Sequence, residues 1–255
     1  MEYIDKGTHH EQGNQFIDDL LEEKWIDDQS QYVDANYAGL RGSQFYSDLS
    51  LVLLSNQNKY CCYCMQKIDT VDTSLEHIIP QKTESQEDFD AYLCCEELRS
   101  NVIFSKCFDR RTKLIPPGKY PHDIAYYNIV ASCKSNAHCN HKRGNKRIKP
   151  LMYDFNLCNE ISYDGTGLAH SEKYNNELSI LGISTDKDLI GFRRVWKILA
   201  DTVDVVQSVT DDEIDKVVYS LSDVRLLNNL TGENNKKRLF RRYSWFFDYY
   251  KARQR

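Results

Sequence analysis

Leu75-Glu76-His77-Ile78-Ile79-Pro80 and Cys133–Arg143 (CKSNAHCNHKR) are the stretches that decide the fold of this chain. The first places a carboxylate beside a histidine, and the second places two cysteines ahead of a basic segment. Cys61-Cys62-Tyr63-Cys64 introduces them, and Tyr127–Ser132 (YNIVAS) leads into the second. Residue types that bind metals and move protons are therefore concentrated in one part of the sequence.

The bulk composition is that of a globular protein with a real core. The chain has 255 residues, of which 41% are hydrophobic and 28% charged, and this length suggests one or two domains. The formal net charge of -5 excludes a general electrostatic coat for nucleic acid. Base is concentrated in residues 134–149 and 236–255, and acid in 18–34 and 84–97. This distribution favours a local nucleic-acid site.

The sequence predicts a cytoplasmic protein. It begins without the basic start and apolar run of a secretory signal, and no stretch is long and apolar enough to span a membrane. The chain contains nine cysteines. In a reducing compartment such residues bind metal or are buried, and they rarely form disulfides.

The patterns predict an α+β fold in three regions: a helical segment at 1–58, a core at 59–150 with an insertion at about 84–121, and a hairpin followed by helices at 151–255. Apolar spacing predicts a helix over Ser43–Asn56. The core strands are predicted over Ser74–Pro80 and Ala125–Ala131, and a helix should begin at Asn140.

Further signals mark the C-terminal region. Asp164-Gly165 predicts the turn of a β-hairpin, and apolar spacing predicts a helix over Leu189–Val206. Thr210 and Glu213 form a capping-box pattern that predicts the start of the next helix. The whole region therefore reads as one hairpin followed by helices.

Four cysteines predict a structural zinc site. Cys61-x-x-Cys64 has the spacing of a zinc knuckle, a tight turn that presents two thiolates to one ion. Cys133 and Cys139 supply a second pair, but five residues (134–138) lie between them, whereas only two lie between Cys61 and Cys64. His138 as a replacement for Cys139 therefore stays an alternative, and so does a set of buried thiols without metal. Protein ligands at all four positions leave zinc no open position for chemistry.

Glu76-His77 has the residue types for hydrolysis of a phosphodiester. His77 suits a general base because the unperturbed pKa of a histidine side chain lies near neutrality. Glu76 suits a divalent cation, and Asn140 at a helix start adds a neutral oxygen. A carboxylate and an amide oxygen favour a hard ion such as Mg²⁺. The alternative is a solvated strand end without catalytic function.

Two neighbouring features extend this interpretation. Asn128 is disfavoured in a strand by propensity, so it either accepts a hydrogen bond from His77 or caps a strand end. Lys142, Arg143 and Lys146 follow the predicted helix start, where phosphate binding is favoured. An ordinary solvated basic face is the alternative for these three residues.

The chain resembles the HNH (ββα-metal) endonucleases in four segments: Cys61-x-x-Cys64, Glu76–Pro80, Asn128–Cys133 and Cys139-Asn140-x-x-Arg143. The resemblance implies a ββα-metal core with zinc knuckles, surrounded here by N-terminal and C-terminal helices. It makes His77 the general base and Glu76 a ligand of Mg²⁺ or Mn²⁺. Asn128 would orient the base. Asn140 would be the second metal ligand, with His141 as its alternate.

A narrower resemblance covers most of the chain. Met1–Lys6, Leu54–Cys64, Tyr163–Gly167 and the pattern from Leu181 to Arg193 are similar to PtuB-type HNH proteins, the effectors of Septu and retron anti-phage defence systems. This resemblance implies a nuclease that acts with a PtuA-type ATPase, and a homodimer within a larger complex stays an open alternative. The chain has no Gly-x-x-x-x-Gly-Lys-Ser/Thr loop of its own, which is consistent with an ATPase partner.

The sequence leaves alternatives open for the substrate and for the enzymatic activity itself. DNA is the favoured substrate, and cleavage of RNA such as a tRNA is the first alternative, because nothing in the sequence separates the two. The second alternative is a non-enzymatic module in which zinc knuckles brace a surface for another protein.

Overall fold

The computed structural model describes residues 1–7, 9–26, 31–32, 35–83, 85–99, 108–110, 119–230 and 234–254. The helices are α1 His10–Glu23, α2 Tyr37–Arg41, α3 Phe45–Asn56, α4 Gln86–Leu93, α5 Glu96–Arg99, α6 Cys139–Arg143, α7 Leu157–Glu160, α8 Asn175–Ile180, α9 Lys187–Thr202, α10 Asp211–Ser220, α11 Val224–Leu230, α12 Asn234–Arg241 and α13 Trp245–Ala252. The strands are β1 Trp25–Ile26, β2 Gln31–Tyr32, β3 Thr73–His77, β4 Phe108–Asp109, β5 Tyr120–Pro121, β6 Ile129–Cys133, β7 Ser162–Tyr163 and β8 Ala169–His170. The mixture of helices and small sheets confirms the α+β class.

The chain forms two compact units, and each is discontinuous in sequence. The first unit comprises Met1–Cys62, Ile68–Lys134 and Gly144–Cys158, and the second comprises Tyr63–Lys67, Ser135–Arg143 and Asn159–Arg255. Among the described residues, no helix has both the length and the apolar character needed to cross a membrane.

The two-stranded sheet of β3 and β6 is the centre of the first unit. The strands run antiparallel, with Thr73 opposite Cys133 at one end and His77 opposite Ile129 at the other. Every residue of β6 is buried. A strand buried on both faces reads as a continuous apolar run, as Ile129-Val-Ala largely does.

Helices α1 and α3 bury apolar side chains in this unit, among them Leu20, Leu49 and Leu53, each 0% exposed. The predicted helix over 43–56 is confirmed, since α3 spans Phe45–Asn56. Gln57 follows α3 and pairs with β6 through its side chain. Its amide donates to the Ala131 carbonyl at 2.8 Å and its oxygen accepts from the Ala131 N–H at 2.7 Å. This glutamine therefore covers hydrogen-bonding groups of β6 that β3 does not reach.

The core strands are shorter than the sequence predicts. The predicted strand over 125–131 begins only at Ile129, because Tyr126–Asn128 forms a 3₁₀ turn. Strand β3 ends at His77, before the predicted end at Pro80. The main chain after His77 instead bonds to Asn128: the Ile78 N–H donates to the Asn128 carbonyl at 2.9 Å. The pairing of the two strands thus ends at His77, and a turn follows.

The predicted insertion at 84–121 contains α4, α5, β4 and β5, with β4 and β5 paired in parallel. The N-cap of α4 is Ser85, whose side chain accepts from the Asp88 N–H. The sequence of this insertion also contains the turn signal Pro116-Pro117-Gly118, which lies outside the described residues.

From Ser162 onwards, the second unit contains the predicted hairpin followed by helices. Strands β7 and β8 are antiparallel around a turn that begins at Asp164. The long helix α9 starts two residues before the predicted position and ends at Thr202. Helix α13 packs against α9. The capping box of Thr210 and Glu213 is present as predicted.

Candidate metal centre and strand-end site

Cys61, Cys64, Cys133 and Cys139 form a buried group, here called the four-cysteine cluster. Their Sγ atoms all lie within 4.8 Å of one another, and none of the four takes part in a disulfide. Four thiolates at about 2.3 Å from one tetrahedral Zn²⁺ would lie about 3.8 Å apart, which the 4.8 Å limit of the cluster permits. The predicted grouping is confirmed, and the cluster can hold a metal such as zinc.

Strand β6 positions two of the four cysteines, Cys61 and Cys133. The Cys62 N–H donates to the Ala131 carbonyl at 3.1 Å, which docks the knuckle turn against the strand. Cys133 is the last residue of β6, and its N–H donates to Cys61 Sγ at 3.3 Å. An N–H donor of this kind stabilises negative charge on a thiolate and orients it as a metal ligand.

Cys62 lies inside the knuckle but does not belong to the cluster. Burial raises the pKa of its thiol well above the usual value, and the hydrogen bond and charge of Cys61 raise this pKa further. Cys62 therefore stays a neutral buried thiol, as expected of a residue that is not a ligand.

His138, the alternative to Cys139 as a ligand, has other partners. Its Nδ1 donates to Asp186 Oδ2 at 2.6 Å and lies 3.1 Å from Ser135 Oγ. Its Nε2 lies 3.3 Å from the Tyr243 hydroxyl. Burial acts to raise the pKa of Asp186, but the hydrogen bond and charge of His138 lower it on balance. The His138 ring therefore already pairs with Asp186, which favours Cys139 over His138 as the metal ligand.

The loop before Cys139 is long because it must fit against the turn after α8. The Cys139 N–H donates to the Leu181 carbonyl at 2.8 Å. Gly182 has a φ of 72°, and a Cβ there would lie 2.6 Å from the Ala137 carbonyl oxygen. Only glycine permits both the conformation and the close approach. This packing accounts for the wide spacing of the second cysteine pair.

His77 ends strand β3 with a defined hydrogen bond. Its Nε2 donates to the main-chain carbonyl of Asp123 at 2.8 Å. A carbonyl oxygen only accepts, so the proton of the neutral ring is on Nε2 and the lone pair is on Nδ1. The Tyr37 ring packs edge-on against His77, with centroids 4.5 Å apart. The Tyr37 N–H also donates to Asp123 Oδ2, at 3.2 Å. Asp123 therefore bonds to the His77 ring and to the main chain of Tyr37.

Glu76 precedes His77 and is buried, at 4% exposure. Adjacent residues of a strand point to opposite faces, and Glu76 stands opposite Val130 in the ladder. The pKa of the Tyr37 hydroxyl is raised, mainly by burial and in small part by the charge of Glu76. Tyr37 therefore lies within electrostatic reach of Glu76 as well as against His77. We call Glu76 and His77 the strand-end site.

Asn128 does not hydrogen-bond to His77, in contrast to the first sequence-based interpretation. Its Oδ1 accepts from the Ile79 N–H at 2.7 Å, and its Nδ2 donates to the carbonyls of Ile79 and His122 at 2.9 and 2.7 Å. The Asp123 carbonyl takes the place on His77 that was expected for Asn128. Asn128 instead acts like a peptide group that pairs with the turn after His77, because the amide of its side chain offers one acceptor and two donors.

Asn140 and His141 lie on the short helix α6, which ends at Arg143 and is followed by Gly144 with a φ of 56°. This left-handed glycine is a usual helix end, and it limits the predicted helix to five residues. His141 is exposed, and its Nδ1 donates to Asn136 Oδ1 at 2.9 Å. Its ring lone pair is therefore on Nε2.

The three predicted phosphate-binding residues differ in exposure. Lys142 and Lys146 are exposed, whereas Arg143 is buried at 3% exposure. A buried guanidinium does not present its charge at the surface, so only the two lysines fit the expected contact with nucleic acid.

Sequence reasoning missed Asp123, Tyr37 and Asp186. Asp123 contacts His77 across 46 positions and Tyr37 across 86. Asp186 meets His138 across 48 positions. No periodicity or motif marks such contacts in one sequence, and the Asx-type N-cap at Asp186 was the only local signal.

Comparisons with models of protein families, with curated proteins and with solved structures found no match for this chain. The chemistry of the site therefore has to be argued from the residues and geometry of the chain itself.

Proposed function

We propose that this chain is a metal-dependent endonuclease of the HNH type, with zinc in the four-cysteine cluster and Mg²⁺ or Mn²⁺ at the strand-end site. One observation carries the proposal. The His77 Nε2 proton is committed to the Asp123 carbonyl, so Nδ1 holds the lone pair that a general base needs. A buried carboxylate, Glu76, is next to it in sequence.

The ladder of β3 and β6 supports a division of labour between the two sites. Cys133 pairs with Thr73 at one end, and His77 pairs with Ile129 at the other. Four residue steps of about 3.3 Å separate these ends by about 13 Å. The cluster is thus suited to holding the sheet that carries His77, at a distance from the reacting phosphate. Because all four zinc positions would be cysteine, that ion has a structural role.

In this proposal His77 accepts through Nδ1 the proton of the attacking water, and the Asp123 carbonyl keeps the ring in the tautomer required. A divalent ion at this site would supply stabilisation of the charge that develops on the phosphate. Glu76 would hold the ion together with Asn140, and His141 is the alternate to Asn140. A carboxylate with an amide oxygen suits a hard ion.

The nucleic acid and the partner are part of the same proposal. Lys142 and Lys146 are exposed and would contact phosphates without reading bases. DNA is the favoured substrate and RNA the alternative. On the resemblance alone, the enzyme is the nuclease of an anti-phage complex with a PtuA-type ATPase.

The test is His77→Ala in the full chain, purified with any ATPase encoded beside it. We expect loss of magnesium-dependent cleavage by about 10²–10⁴-fold, the usual contribution of a general base. Zinc content, measured by mass spectrometry, should stay at the wild-type level. Plasmid DNA and total tRNA are assayed in parallel, and the one that is cut identifies the substrate.

His170→Ala is the matched control, because His170 lies in the β7–β8 hairpin and is exposed. It should cut at the wild-type rate. A folded, zinc-loaded His77→Ala protein that cuts as fast as the parent refutes the assignment. Absence of cutting by the wild-type complex, with either substrate and with or without ATP, favours the non-enzymatic zinc module.

A further inference from the structure

Arg193 is a buried charge, and among the described residues it has no acidic partner. It lies on α9 and is 0% exposed. In the part of the chain that the structure describes, no carboxylate pairs with it, and its Nε and Nη2 atoms have no hydrogen-bond partner. An unpaired buried charge is costly, so proteins rarely keep one without a compensating group.

The contacts of Arg193 hold the guanidinium but do not neutralise it. Its Nη1 donates to the carbonyls of Ile183 at 2.8 Å and Gly167 at 3.4 Å. The guanidinium carbon lies 4.7 Å from the ring centre of Tyr163 and 5.1 Å from that of Phe246. Carbonyls and aromatic faces attract a cation, yet none of them carries a full negative charge.

A single turn connects Arg193 to the four-cysteine cluster. The carbonyl of Leu181 accepts the Cys139 N–H at 2.8 Å, and the carbonyl of Ile183 accepts Arg193 Nη1 at 2.8 Å. Gly182, between them, packs directly against Ala137 in the loop before Cys139. Arg193 and Cys139 thus hydrogen-bond to the two ends of the same three-residue turn.

Tyr163 gives a second connection. Burial raises the pKa of its hydroxyl, the Arg193 guanidinium acts to lower it, and Cys64 and Cys139 act to raise it. The Tyr163 ring therefore lies within electrostatic reach of the guanidinium and of two of the four cysteines. All these residues belong to the second unit.

We propose that Arg193 is the counter-charge of the four-cysteine cluster. A divalent ion held by four thiolates leaves the centre with a net charge of two minus, in surroundings of low dielectric constant. The guanidinium offsets part of that charge and so strengthens metal binding. The charge buried at Arg193 is compensated by the metal centre, not by a carboxylate. This role does not depend on nuclease activity.

The test measures the zinc dissociation constant of the full chain by competition with a chromophoric chelator at fixed pH and salt. Arg193→Gln removes the charge and should weaken zinc binding by about 10–100-fold, the usual effect of losing a group that supports metal ligands. Arg193→Lys keeps the charge and should bind zinc more tightly than Arg193→Gln. The absorption of Co²⁺-loaded protein should report four thiolate ligands in every variant.

Trp196→Phe is the packing control. Trp196 lies one turn further along α9, is buried, and donates through Nε1 to the Phe240 carbonyl. Its replacement perturbs the same core without removing charge, so zinc affinity should change little. Zinc affinity of Arg193→Gln at the wild-type level, or a loss no larger than that of Trp196→Phe, overturns the proposal.

A second pair of variants keeps the test decisive if Arg193→Gln does not fold. Cys64→His replaces one thiolate by a neutral ligand and lowers the negative charge of the centre. Arg193→Met, a second substitution that removes the charge, should then weaken zinc binding more than Trp196→Phe does. In the Cys64→His background, the loss caused by an Arg193 substitution should shrink. An undiminished loss there means that Arg193 acts by packing alone.

Discussion

Replacing Asn128 by alanine should destabilise the fold by about 3–5 kcal/mol. The side chain is 0% exposed and makes three hydrogen bonds to the main chain, two with Ile79 and one with His122. At about 1 kcal/mol each, these bonds contribute about 3 kcal/mol. Alanine would also leave a buried N–H and two carbonyls unsatisfied, which adds about 1–2 kcal/mol.

Urea denaturation followed by circular dichroism at fixed free zinc measures this loss. Asn36→Ala is the control, because Asn36 caps α2 through a single bond to the Gly39 N–H at 2.9 Å. Losing such a cap costs about 1 kcal/mol. If Asn128→Ala loses no more stability than Asn36→Ala, the side chain does not brace the turn and the reasoning is wrong.

The same substitution should impair the strand-end site. The turn at Ile78 and Ile79 directly follows His77, and Asn128 bonds to both residues of this turn. A loosened turn moves the base, and small displacements of a catalytic group reduce rates strongly. Under conditions where Asn128→Ala is still folded, cleavage should therefore fall although no proposed catalytic atom has been removed. Unchanged cleavage would mean that the turn does not position His77.

Two further predictions concern pH and metal. Burial acts to raise the pKa of Asp164, but hydrogen bonds from Thr166, His170 and Leu168 lower it to about 2. Stability from this carboxylate is thus present above its usual value of 3.8 and is lost as the pH falls through about 2; an NMR titration with a midpoint near 3.8 would contradict this. Free zinc at about 100 times its dissociation constant should stabilise the chain by about 2.7 kcal/mol over the metal-free protein. A melting temperature that does not depend on zinc concentration would show that the cluster binds none.

The four-cysteine cluster was predictable because the short spacing of cysteines in the sequence indicates metal binding. Cys61-x-x-Cys64 is a local signature of a turn that presents two thiolates, and a second cysteine pair has few other roles in a reducing compartment, where disulfides are rare. The boundaries of α3 and the capping box at Thr210 were predictable for the same reason, since apolar periodicity and N-caps act within a few residues.

The surroundings of His77 were not predictable, because they depend on tertiary contacts. Strand propensity correctly marked Asn128 as unusual, but it did not distinguish a partner of the histidine from a brace for the next turn. In the structure, the main-chain carbonyl of Asp123 accepts the hydrogen bond from His77 that was expected for the Asn128 side chain. A main-chain acceptor cannot be recognised from the residue type, since every residue carries a carbonyl.

The arrangement of β6 explains why a structural metal would matter to a base about 13 Å away. One edge of β6 pairs with β3, which ends at His77. Groups of β6 that β3 does not reach pair with the Gln57 side chain and the Cys62 N–H, so the knuckle turn is part of the support of the strand. Loss of metal would free the knuckle and expose hydrogen-bonding groups of a fully buried strand, which is costly. In the proposed enzyme, the metal-loaded four-cysteine cluster would therefore support the strand-end site through β6.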